Sequence, residues 1–352
     1  MTIIENTSIK NKASSILCRI RRIRWNAENL AALIFFVALL LLPLFISEYQ
    51  ILNFIYFNAF IFLSLSLCLI WGFGGILSFG QTAFFGIGGY LYGILTLNVT
   101  QPSFTFAAAA IAILTGGIIA GILGYFMFYG GVNDHFVSLL MLAFTLVLET
   151  FMAQTAGSEW RVGKAALGGF NGMNAIPPLA IGKFALTGAS LFYLVLLLLM
   201  SVYLFLRWLL QSRFGYGLMA LRENRVRTET LGYNVRLMQC QIFALGGCLA
   251  ALSGVLYVVW GGYITPSSMG LDNAALPVIL VAAGGRKNLT ASMIASLIIL
   301  WFSQTLAIHG DQYALLILGL LLTLATLFGP QGFMASLFQW ADHLLFSSKS
   351  AS

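Results

Sequence analysis

The chain has 352 residues, 60% of them hydrophobic and 8% charged, against roughly 45–50% and about 25% in an ordinary soluble protein. Its 18 basic and 11 acidic residues are clumped, with none between Glu48 and Asp134. Too few charges remain to cover a water-soluble surface, and hydrophobicity is too high for disorder. A soluble enzyme and a nucleic-acid module are excluded despite the net charge of +7, and a polytopic membrane protein is left.

The first 29 residues are basic, with Lys10, Lys12, Arg19, Arg21, Arg22 and Arg24 ahead of the first apolar run. That run is too long for a signal peptide and no small-x-small cleavage site follows it. Ile16, Ile20 and Ile23 share one helical face among these cations, which fits either a short helix on the inner membrane surface or a frayed basic tail.

A spanning helix needs about 20 mostly apolar residues. Candidates fall at 30–47, 51–71, 82–98, 105–128, 136–155, 187–207, 239–261, 273–285, 289–308 and 312–329. This ten-span order puts 15 basic residues inside and 3 outside, so positive residues place both termini in the cytoplasm. The expected fold class is an all-α polytopic membrane protein. Its domains are a basic segment at 1–29, a transmembrane domain at 30–337 with an inner loop at 208–238, and a cytoplasmic tail at 338–352.

From the end of the second span into the third, residues 72–89 hold seven glycines plus Ser78, Gln81 and Thr82. Broken backbone at membrane depth belongs inside a bundle or along a wet cavity. Gly74, Gly75, Ser78, Gly80, Gln81, Thr82 and Gly88 are therefore candidates for a translocation path, the other reading being close helix packing through small residues. The span at 273–285 is too short to cross alone and ends in Gly284-Gly285-Arg286-Lys287, which makes it a second candidate of the same kind. Glu149 is the clearest ionisable residue inside a span. It either lines the path or holds a partner helix through a hydrogen bond. The loop from 156 to 183 carries Trp160, Arg161, Phe170, Asn171 and Pro177-Pro178, a composition that suits an ordered lid, a docking site for an external partner, or a solvated connection.

The inner loop predicts one helix over 216–231, with a Glu223–Arg227 pair four residues apart and Gly232 as its C-cap. Leu218, Met219, Leu221 and Leu231 give it a modest apolar side, and Arg222, Glu223, Asn224 and Arg227 a polar one. Such a rod fits a docking element for a soluble cytoplasmic partner. Further on, Gly246, Ala250 and Gly254, flanked by Gly247 and Ala251, predict a close packing seam. Cys68, Cys240 and Cys248 lie in apolar runs and Cys18 in the basic segment, with no metal-type spacing. No GxxxxGK[ST] phosphate loop occurs, so an ATP-driven process would need its ATPase on another chain.

Several short pieces in fixed order carry a resemblance. They are Trp71-Gly72, Gly74 to Gly80, Ala83-Phe84-Phe85, Gly88-Gly89-Tyr90, Gly169 to Gly172, Arg213-Phe214-Gly215, Ala220 to Asn224, Leu231 to Asn234, Gly284-Gly285-Arg286 and Phe328 to Gly332. From about Asn58 to Leu337 the chain resembles the membrane permease subunit of ABC importers for branched-chain amino acids, with relatives for urea and short amides. The resemblance implies a glycine-rich segment that helps form the path and an Arg-Glu-Asn stretch in the helix that couples to the ATPase. It implies a second permease subunit, two ATPase subunits holding ATP and magnesium, a periplasmic binding protein, and a place in a bacterial inner membrane. No cofactor is expected in this chain, and no enzyme activity of its own. Gln81 stands where the family often has histidine, Lys287 where glycine is usual, Ala291-Ser292 in place of Gly-Pro, and Arg227-Thr228 where small apolar residues are common. The scaffold leaves open whether the substrate is an amino acid, urea or an amide. A stand-alone ion-coupled carrier would need midplane ionisable groups, for which only Glu149 qualifies. An intramembrane enzyme would need a nucleophile–base pair or metal cluster, and none is visible.

Overall fold

The computed structural model describes residues 27–182, 184–309, 319 and 332–346. Apolar runs become helices because, in lipid, each backbone N–H and C=O must find its partner within the segment. Helix α1 spans Ala27–Leu41 and tightens into a 3-10 turn at Leu42–Leu44; α2 spans Glu48–Leu67 and ends in a π-helical stretch, Cys68–Phe73. Then come α3 (Gln81–Asn98), α4 (Thr105–Tyr129), α5 (Asp134–Ala153) and α6 (Ala189–Leu210). Two short helices follow, α7 (Arg213–Glu223) and α8 (Arg225–Thr230). The chain continues through α9 (Val235–Gly261), α10 (Leu271–Gly284), α11 (Leu289–His309) and α12 (Phe333–Phe346). Between α5 and α6 lie two antiparallel two-stranded hairpins, Arg161–Val162 with Ala165–Ala166 and Ala180–Ile181 with Phe184–Ala185.

Eight helices among the described residues are long and apolar enough to cross a membrane, so the chain is an all-α, multi-pass membrane protein. Helix α3 fills the position of the third expected span. Its 18 residues reach about 27 Å at 1.5 Å per residue. The segment expected to be too short at 273–285 is lengthened by a 3-10 turn at Pro266–Met269, so that Pro266–Gly284 covers 19 residues. The expected tenth span at 312–329 and the basic stretch with Ile16, Ile20 and Ile23 lie outside the described residues. The expected boundary at 337/338 falls inside α12.

Helices α2 and α9 form the middle of the bundle. From Phe57 to Leu67 every residue of α2 is buried. Along α9 the small residues form the expected seam, and the neighbours show why they must be small. A Cβ at Gly247 would lie 2.2 Å from Ala120 Cβ, one at Gly116 2.4 Å from Ala251 Cβ, and one at Gly254 1.9 Å from the Phe85 carbonyl oxygen. Helix α9 therefore meets α4 and α3 backbone to backbone, which removes the voids that larger side chains would leave at a crossing. Ser253 adds a hydrogen bond from its hydroxyl to the Ala59 carbonyl at 2.7 Å.

Contacts between chain ends fix how the bundle closes. The Ala27 amide donates to Asp342 of α12 at 2.6 Å. Glu28 pairs with Arg207 at the end of α6 at 3.3 Å and accepts from the Thr290 hydroxyl of α11 at 3.0 Å. The start of α1, the end of α6, the 285–290 turn and α12 thus share one end with α7 and α8. The hairpin loop sits at the other end, where Asn98 donates to the Val162 carbonyl and accepts from the Lys164 amide.

Candidate translocation path and coupling surface

Residues 74–80 are not helical. After the π-helical end of α2, the chain runs in irregular form into the bundle before α3 begins. Side chains of α5 meet its carbonyls: Ser138 donates to Leu77 O at 2.7 Å, and the Thr145 hydroxyl, which donates to Met141 O at 2.8 Å, also lies 3.4 Å from Phe79 O. Buried side-chain donors are what allow non-helical backbone at membrane depth. The span is therefore broken rather than continuous, and the break coincides with the glycine-rich stretch.

Each candidate path residue has a definite place. Gly74 is buried, with Ile70 O 2.6 Å from where a Cβ would lie; Gly75 has φ +79° and faces Arg222. The Ser78 hydroxyl is buried and accepts from Gly80 N at 3.2 Å. Gly80 leaves a notch filled by Met141, and Gly88 one filled by the backbone of Ala251. At Gly88 the structure favours helix packing over an open path surface. Gln81 is buried against Ser66, whose hydroxyl also lies 2.9 Å from the Gly246 carbonyl. The single Ser66 proton is shared between Gln81 Oε1 and the Gly246 carbonyl, and Gln81 Nε2 is buried without a hydrogen-bond partner. Thr82 is fully buried, and its hydroxyl has no hydrogen-bond partner; the same holds for the hydroxyl of Tyr90 on the same helix. Glu149, near the end of α5, reaches toward Gly270, where a Cβ would lie 2.8 Å from Oε1.

The inner loop differs from the single rod expected from sequence. Asn224 leaves the helical region (φ −158°, ψ 104°), and its side chain accepts from the Arg227 amide at 2.9 Å. The chain thus ends α7 and starts α8 at one residue, as expected where an asparagine can cap. Gly232 stands past the end of α8 with φ +86°, its amide donating to Glu229 O at 2.9 Å, so the glycine cap is present. The expected Glu223–Arg227 pair is absent because the break at Asn224 separates the two helices. Glu223 instead accepts from Arg222 at 2.7 Å and pairs with Lys287 at 3.7 Å. Hydrogen bonding from Arg222, and then the charges of Arg222 and Lys287, hold the Glu223 carboxyl below the usual carboxylate range.

Arg222 makes the most consequential contact. Its Nη1 donates to the Gly72 carbonyl at 2.7 Å, and its stem fills the space beside Gly75. Gly72 is pressed from its other side by Arg286 O, which a Cβ would meet at 1.6 Å, and the Arg286 guanidinium lies 5.5 Å from the Trp71 ring centre. The two interrupted segments singled out in the sequence, 72–80 and 284–287, therefore meet at the end of α7. Leu218 and Leu221 are buried inside the chain and anchor α7. Its outward apolar groups are Tyr216, with Val226 on α8 and Leu231 just after it, 63–71% exposed. Sequence reasoning placed Leu231 on the apolar side but missed Tyr216 and Val226; their signal was apolar residues set among arginines.

At the opposite end, Trp160 packs edge-on against Phe151 at 5.8 Å, while Phe170 is 76% exposed and Arg161 and Asn171 are exposed beside it. The loop is ordered by its hairpins and by a ladder to the segment after α9, in which Met173 and Ile264 exchange backbone hydrogen bonds of 2.8 and 2.9 Å.

Residues 50–326 match the family model for the permease component of branched-chain amino acid transport systems. The chain is 25% identical over 301 residues to the high-affinity branched-chain amino acid transport system permease protein LivM of Escherichia coli, covering 78% of this chain and 67% of that one. A probable LivM of Methanocaldococcus jannaschii is 24% identical over 66% of this chain and 74% of its own. The autoinducer 2 import system permease protein LsrC of E. coli is 25% identical over 59% of this chain and 57% of its own. No solved structure matches. The match runs across the broken span, the hairpin loop, the paired inner helices and the 284–287 turn, and the chain belongs to the family of branched-chain amino acid ABC transport permeases.

Proposed function

We propose that this chain is a membrane subunit of a binding-protein-dependent ABC importer that carries branched-chain or other small amino acids across a bacterial inner membrane. Helix α3 and the 74–80 segment line the path, with Gly74, Gly75, Ser78, Gly80, Gln81, Thr82 and Glu149 along it. Helices α7 and α8 face the cytoplasm and seat an ATPase subunit, which holds ATP and magnesium. The end bearing Trp160, Arg161, Phe170 and Asn171 faces outward and receives the binding protein. A second permease subunit completes the path, and both termini are cytoplasmic.

The observation that carries this reading is the Arg222–Gly72 hydrogen bond. It joins the surface helix pair directly to the broken span. A force applied to α7 by a partner is delivered through the Arg222 side chain, packed along Gly75, to backbone at the start of the 74–80 segment. The family match across 50–326 supports branched-chain amino acids as the substrate class.

Uptake of labelled leucine, isoleucine and valine in a strain lacking this chain tests the reading. Loss of saturable uptake, restored by the chain, is expected. Unchanged amino-acid uptake with loss of urea or acetamide uptake would move the substrate to the amide branch of the scaffold.

A further inference from the structure

Thr82, Gly86, Gly89, Tyr90 and Gly93 fall on one side of α3, within roughly 100° of arc at 100° per residue. Three of these are glycine notches, and each is filled from the same outer unit. A Cβ at Gly86 would lie 1.9 Å from Met269 Sδ, one at Gly89 2.4 Å from Ile264 Cδ1, and one at Gly93 2.5 Å from Met173 Sδ. All three inserted side chains are at most 1% exposed. Met173 and Ile264 are partners in an antiparallel bridge, and directly opposed residues project to the same face, so one ladder drives both into α3. Met269 closes the 3-10 turn that follows Ile264 and Thr265. The other side of this unit is hydroxylated: Tyr263, Thr265, Ser267 and Ser268 line a cavity of about 280 Å³ with Tyr56 and Tyr257.

Among the described residues, two of the buried side chains with a polar atom lacking a hydrogen-bond partner lie on this face, the others being Asn58, Gln81 and Gln239. The hydroxyls of Thr82 and Tyr90, which flank the notches, are buried with no hydrogen-bond partner. A buried hydroxyl left unpaired is costly, and two of them beside the notches suit a surface that gains partners when the inserted side chains leave. Methionine suits a plug that must leave and return, because its unbranched, polarisable side chain repacks easily.

We infer that Met173, Ile264 and Met269 are the outer gate of the path, seated in the Gly93, Gly89 and Gly86 notches and withdrawn together when the outer loop moves. The inference rests on the proposal that α3 lines the path. Phe170 and Asn171 lie only two or three residues before Met173, so a protein docking there pulls on the strand that carries the plug.

The test is the rate at which Thr82→Cys reacts with a membrane-impermeant methanethiosulfonate added outside, in the assembled transporter in cells, with the parent chain as background. At rest the thiol should be protected. Met269→Ala removes the central plug, and Gly86→Ala displaces its flexible end without leaving a cavity. Each should raise the resting rate about tenfold, whereas the volume-conserving Met269→Leu should leave it near the parental value. If Thr82→Cys reacts during ATP-driven turnover but neither variant changes its resting rate, the gate is wrong and the path stands. If it stays unreactive even during turnover, α3 is not in the path, and the proposed function fails at that point together with the gate.

Discussion

At Gly88 an added methyl group would lie 2.5 Å from the Ala251 carbonyl oxygen and 2.7 Å from its Cα, and backbone cannot swing aside as a side-chain end can. Gly88→Ala should therefore act through packing. A cost of about 1–3 kcal/mol is expected, as for other overpacked cores. It would be read as a lower melting temperature of the detergent-solubilised protein, with membrane insertion intact. An unchanged melting temperature would show that α3 and α9 are less tightly apposed than described. Gly86 offers the contrast, because its neighbour is the movable end of Met269. The sequence marked all these glycines alike. It could not separate a notch closed by backbone from one closed by a flexible thioether, since that depends on which partner helix lies opposite.

Helices α7 and α8 show where pattern reading stops. The arginine-rich stretch was legible as helical, and the glycine cap at 232 was found in place. The break at Asn224 was not, because asparagine favours caps but also occurs inside helices, and the continuous run of good helix formers around it hid the cap. Moving that boundary re-pairs Glu223 from Arg227 to Arg222 and Lys287, a partner 64 positions along the chain that no local spacing can reveal. A charge swap tests the new pairing. Glu223→Lys sets two lysines together and should reduce both ATPase co-purification and uptake. Adding Lys287→Glu should restore most of the loss. A double variant no better than the single one would leave Glu223 as a contact to the ATPase alone. The same contact sets a pH expectation. A carboxyl whose folded-state pKa is depressed contributes its stability above the ordinary carboxylate range, and loses it as pH falls through the lowered value. Association should thus be flat in this respect between about pH 6 and 8, with an ordinary Glu value near 4.3. The irregular 74–80 segment was legible only as a disturbance. Its route became clear through Ser138 and Thr145, whose hydroxyls read in sequence as unremarkable polar positions in an apolar span.

For the whole molecule, hydrophobic runs gave the helices because length and apolarity are the membrane's own requirements. Their arrangement about α2 and α9 follows from small residues whose partners lie more than a hundred positions away, as Gly116 and Ala251 do. The resulting bundle has a hairpin-bearing end, a helix-bearing end and a broken span between them, joined to the second end through Arg222. The central claim is that energy enters at α7 and α8 from a separate ATPase. Its most direct test uses proteoliposomes containing this chain with its partner permease and ATPase subunits, ATP sealed inside, and labelled leucine with the binding protein outside. Uptake should require internal ATP, persist when ion gradients are collapsed, and fall when Arg222→Ala cuts the link to Gly72. Leucine uptake by this chain alone, driven by an ion gradient without ATP, would contradict that claim.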